Sequence, residues 1–140
     1  MAERRSNMQT TDLFTCTCLA LALNRREAGI LETLLSDDAV FVHSTKNQRL
    51  EGKEAILAFF RIWFHTLTIS LEAGTTSFNA ALAKVKEKNK EQCCLLVRQN
   101  VRGGTNRFLS LCLSCDGLIN TIEFRLVVPD SLEELNIFPI

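Results

Sequence analysis

Apolar residues recur at helical spacing along the first quarter of the chain. Leu13, Cys16, Leu19, Ala20 and Leu23 share one face of a helix that Thr10, Thr11 or Asp12 can cap. Asn24-Arg25-Arg26 interrupts the run, and a shorter helix follows with Ile30, Leu31, Leu34 and Leu35 at the same spacing. Ser36-Asp37-Asp38 reads as its end, a sharp acidic turn, because short polar side chains compete for backbone hydrogen bonds. Ala39 to Ser44 is β-branched and aromatic, a strand with Phe41 and His43 on one face and Val40 and Val42 on the other. Lys46-Asn47 suits a turn into a brief strand over Gln48 to Leu50. Gly52 opens a third helix with Ala55, Ile56, Phe59, Phe60 and Trp63 in a wide apolar stripe.

That helix is expected to give out near His65 to Thr68. Thr66 to Ser70 and Thr75 to Lys86 then read as strand, with Gly74 as a bulge or break. After the polar loop Lys86 to Lys90, three more strands follow. They cover Glu91 to Arg102, Asn106 to Cys115 and Leu118 to Val128, joined by hairpins at Gly103-Gly104 and Asp116-Gly117. Helices early and a meander of strands late predict one α+β domain. Its expected span is residues 11–128, between a polar N-terminal tail over 1–10 and a C-terminal tail over 129–140 that Pro129 and Asp130 introduce.

Composition narrows the class of partner. Sixteen Lys and Arg balance sixteen Asp and Glu in 140 residues, so no basic excess favours nucleic acid or an anionic membrane. Arg4-Arg5 before the apolar run Leu13 to Leu23 loosely imitates a signal peptide, but Asp12 and the polar approach spoil the imitation. The expected location is cytoplasmic. The six cysteines fall in helical or strand-like apolar runs and read as reduced, buried thiols rather than a disulfide scaffold.

Three stretches together resemble the nuclear-transport-factor-2-like superfamily, which includes ketosteroid isomerase and polyketide-cyclase-like proteins. They are Ala22-Leu23-Asn24, Leu34 to Phe41, and Leu50-Glu51-Gly52-Lys53-Glu54-Ala55-Ile56 continuing to Phe60. Cys115-Asp116-Gly117-Leu118-Ile119 followed by Ile122-Glu123-Phe124 also resembles its last hairpin. The resemblance implies a cystatin-like α+β roll: a cone-shaped, curved antiparallel sheet wrapped around three helices, with a pocket at the open end. It also implies a homodimer through the outer sheet face.

Carried over residue by residue, the isomerase site is incomplete. The family's general base falls on His43, its tyrosine donor near Leu19 in a chain without tyrosine, and its second acid near Ser110. The resemblance places Cys18, Phe41, His43, Phe59, Trp63, Phe108, Ser110, Cys112, Ile122 and Phe124 around an apolar pocket. His43 is then the candidate catalytic residue, because an imidazole titrates near neutrality and can take a proton from a bound molecule. A histidine simply hydrogen-bonded in the core fits the same position. Cys112 and Cys115 alternate faces of a strand, so no metal site is expected, nor any cofactor. Two functions remain open: a small apolar-ligand-binding domain with isomerase-, cyclase- or lyase-like acid–base chemistry, and a non-catalytic dimerisation or protein-interaction domain with a filled cavity.

Overall fold

The chain order is α1 (Thr10–Arg25), α2 (Ala28–Leu34), β1 (Leu35–His43), a single 3-10 turn (Ser44–Lys46), β2 (Gln48–Glu51) and α3 (Lys53–Glu72). Five strands follow: β3 (Thr76–Glu87), β4 (Lys90–Val101), β5 (Asn106–Asp116), β6 (Leu118–Leu126) and β7 (Leu132–Glu134). This computed structural model describes residues 10–87, 90–101, 106–116, 118–126 and 132–134. The expected N-terminal tail up to residue 9, the Gly103-Gly104 hairpin, Gly117 and the Pro129-Asp130 stop lie outside them.

The seven strands form one curved sheet in the order β2-β1-β6-β5-β4-β3-β7, so the architecture is α+β. The sheet is mixed, which corrects the all-antiparallel expectation: β1 and β6 run parallel. Each hairpin reverses direction, and β6 returns beside β1 pointing the same way. A parallel pair needs a long connection, and everything from β2 to β5 supplies it. β7 is a second departure, because it lies within the segment expected to be a tail and pairs with β3.

The acidic turn is absorbed into β1. Leu35 pairs with Ile119 and Val40 with Thr121, so five steps along β1 match two along β6. Ser36, Asp37 and Asp38 occupy that bulge, where Ser36 Oγ donates to Asp38 Oδ1 at 3.1 Å.

α3 continues to Glu72, through residues expected to be strand. Its buried Leu57, Phe60, Phe64 and Leu67 extend the helical spacing, and that packing overrides the weak helix preference of Thr66 and Thr68. Gly74 ends the helix at φ 74°. Its N–H donates to Leu71 at 3.1 Å and the Thr75 N–H to Ser70 at 3.0 Å, a Schellman cap that favours glycine. By length and composition α3 could cross a bilayer, yet those four residues and Ile56 are sealed inside this fold.

α1 ends in the same way without glycine. Arg26 adopts φ 56°, its N–H donates to Leu23 and the Glu27 N–H to Ala22. The Arg26 side chain then donates from Nε to Thr68 Oγ1 at 2.8 Å, tying this corner to α3. Beside it, the Asn24 side-chain amide donates to the Ala80 carbonyl at 2.9 Å and accepts from the Ala80 N–H at 2.8 Å. Asn24 thus completes the hydrogen bonding of β3 where, among the described residues, no strand lies alongside.

The main core sits between the helices and the concave face. Leu19, Leu23, Leu31, Leu35, Phe41, Ile56, Phe60, Leu95, Ile119 and Ile122 are fully or almost fully buried in one cluster. Each such side chain stabilises the fold by about 1.5–3 kcal/mol over its exposed state. Ala83, Cys94 and Leu96 form a second buried cluster on the opposite face of β3 and β4.

Candidate functional site

β1 alternates as its sequence predicts, and Phe41 and His43 are buried on the core face. Opposite them on β6 stand Ile122 and Phe124, in register with Phe41 and His43 respectively. α3 adds Phe59, Phe60, Trp63 and Phe64, and β3 adds Phe78. The rings form a continuous cluster. Phe41 lies 4.9 Å from Phe59, 5.6 Å from Phe60 and 5.5 Å from Phe124 between centroids. Trp63 lies 5.7 Å from each of Phe60, Phe78 and Phe124. These separations, mostly edge-on or tilted, suit the ring quadrupoles.

His43 closes the cluster. Its ring is 5.2 Å from Phe124 and 6.4 Å from Phe41, and the residue is only 6% exposed. Burial is the main cause that holds its pKa below the ordinary 6.5, and the Lys46 ammonium adds to it. A hydrogen bond with its own backbone pulls weakly the other way. The imidazole is therefore neutral at pH 7, with one ring nitrogen able to accept a proton and the other to donate one. The backbone just beyond is pinned, because Ser44 Oγ donates to Glu123 Oε2 at 3.0 Å and links the 3-10 turn to β6.

Phe59 and Trp63 are only half-buried, unlike Phe41 and Phe60. Together with the half-buried Phe78, they are the part of the cluster that solvent reaches. Cys18 is half-buried on α1, roughly 200° round the helix from the sealed Cys16. Leu19, near the donor position that the resemblance implies, is fully buried, and its side chain offers no hydrogen bond.

β5 requires a correction. Its register pairs Leu111 with Phe124 and Leu113 with Ile122, while Ser110 pairs with Arg125 and Cys112 with Glu123. Directly paired residues share a face, so Leu109, Leu111 and Leu113 hold the core-face positions. Phe108, Ser110 and Cys112 hold the opposite ones, away from Phe41 and His43. A single-residue slip reverses a whole strand, and the alternating leucines were the signal that identifies the inner face. Phe78 was also missed, although it alternates with the buried Ala80 and Leu82 along β3. Lys46, which acts on His43 through its charge, read only as a turn residue.

No family model matches the sequence, and no curated protein matches it either. Solved structures do match. A nuclear-transport-factor-2-like protein of unknown function from Cytophaga hutchinsonii has a TM-score of 0.58 at 16% identity, over 86% of this chain and 94% of that one. A steroid delta-isomerase from Pseudomonas aeruginosa has a TM-score of 0.59 at 15% identity, over 89% and 85%. A computationally designed 17-OHP binder has a TM-score of 0.56 at 16% identity, over 90% and 99%.

Proposed function

We propose that this chain, which has the nuclear-transport-factor-2-like fold, binds a small apolar molecule at the aromatic end of its sheet. The supporting observation is a neutral, buried imidazole set among rings of which three, Phe59, Trp63 and Phe78, are left half-open. Apolar surface supplies the affinity in such a site, and one placed polar group supplies orientation. His43 is that group, and it is also the proton acceptor for acid–base chemistry on the bound molecule. Two structures of similar fold, a steroid isomerase and a designed 17-OHP binder, support a ring-bearing ligand. With leucine in the donor position and no tyrosine, any chemistry would proceed without a phenolic oxyanion hole.

A specific observation favours a second reading. Phe59 and Phe124 both pack within 5.5 Å of the centre of Phe41, and such close ring packing suits a cavity filled by its own side chains. Under that reading the domain is a non-catalytic interaction module, dimeric through the outer sheet face. Trp63, the single tryptophan, reports on the choice. Titration with a steroid ketone and with anilinonaphthalene sulfonate should change its emission saturably. His43→Ala should weaken the ketone by roughly three- to tenfold, the worth of one hydrogen bond. No saturable change with either probe, together with a dimer by light scattering, would establish the second reading instead.

A further inference from the structure

Cys94 on β4 and Cys112 on β5 are direct cross-strand partners. Whether such a pair can be bridged depends on which kind of antiparallel pair it is. Asn24 takes both the N–H and the carbonyl of Ala80, so both point away from β4. Ala80 and Val97 are therefore a non-hydrogen-bonded pair of the β3–β4 ladder. The register is unbroken from Thr76↔Val101 to Glu87↔Lys90, and pair types alternate along it. Ala83↔Cys94, three steps on, is then a hydrogen-bonded pair. Cys94 directs its N–H and carbonyl to β3, and toward β5 it has neither. Cys94↔Cys112 is consequently non-hydrogen-bonded, with Cα atoms about 4.5 Å apart. A disulfide closes across Cα separations of about 4.4–6.8 Å.

We propose that Cys94 and Cys112 are a redox pair that a peroxide converts to a cross-strand disulfide. Peroxide oxidises one thiol to a sulfenic acid and leaves as water. The second thiol attacks that sulfur, forms the S–S bond and releases a second water. The protein loses two hydrogens, and the peroxide is reduced to two waters. Cys94 is sealed with Ala83 and Leu96, so peroxide reaches its thiol slowly. The same seal shields the finished bond from thiol reductants. A bond between β4 and β5 also restricts the unfolded chain.

The test uses the full chain, treated with hydrogen peroxide, alkylated and mapped by mass spectrometry. The expected result is a peptide pair linked through Cys94 and Cys112, an intact mass lower by two hydrogens, and a higher urea midpoint. Cys93→Ser should retain the link, because Cys93 opposes Lys84 and alternates to the other face from Cys94. Cys112→Ser should abolish it. Full alkylation of both residues after treatment, or a link from either to a different cysteine, would overturn the proposal.

Discussion

The two ends of the β1–β6 ladder are built from different side chains. At one end Leu35 opposes Ile119, with Leu31 one turn earlier on α2, all aliphatic and all sealed. At the other, roughly 17 Å along β6, His43 opposes Phe124 among rings contributed by α3 and β3. At those three positions the aliphatic end has no titratable side chain and no half-open one. The aromatic end combines a desolvated imidazole with three rings that solvent reaches. One end serves stability alone. The other leaves Phe59, Trp63 and Phe78 only partly buried, and that apolar surface is what the proposed ligand would cover.

The sharpest way to break this contrast is to truncate neighbouring rings. Phe60→Ala removes a fully buried ring at the centre of the cluster and should cost about 3–5 kcal/mol in urea unfolding. Phe59→Ala, its half-buried neighbour, should cost clearly less while weakening binding of anilinonaphthalene sulfonate. Equal costs would mean that the aromatic end is as closed as the aliphatic one.

Asn24 supplies the next largest effect, because it holds α1 to β3 by polar contacts rather than by packing. Asn24→Ala leaves the Ala80 N–H and carbonyl without their partner and should cost about 1–3 kcal/mol. Faster hydrogen exchange at the Ala80 amide is the matching local signal. Unchanged protection there would show that something else had taken over the contact.

The smallest effect is that of pH on His43. Its folded pKa lies below 6.5, so the folded state binds fewer protons than the unfolded state just below that value. The stability that this contributes is present above 6.5 and is lost as pH falls toward the folded pKa. Acidification through that window should therefore destabilise the parent more than His43→Gln. Parallel curves for the two proteins would remove the buried imidazole from the contrast.

Much of this could be read locally. The Leu13-to-Leu23 spacing marked α1, and the alternation of β1 correctly placed Phe41 and His43 on the inner face. β3 to β6 fell close to their observed bounds. The pattern failed where a distant partner decides. Thr66 to Ser70 looks like strand in isolation, and becomes helix because Phe64 and Leu67 have a core to enter. Asp37 and Asp38 look like a turn, and become a bulge because β6 pairs on either side of them.

Local periodicity alone determined most of the elements and which residues within each share a face. A period of two or of 3.6 is a property of the backbone and needs no neighbour. Only the tertiary structure decided that β6 lies parallel to β1, that the leucines of β5 pair in register with Ile122 and Phe124, that Asn24 meets Ala80 and that Cys94 opposes Cys112. Each of these depends on register between segments far apart in the chain, 56 residues for Asn24 and Ala80. Register is chosen by the energy of the assembled sheet, where a shift of one residue exchanges the buried face for the exposed one.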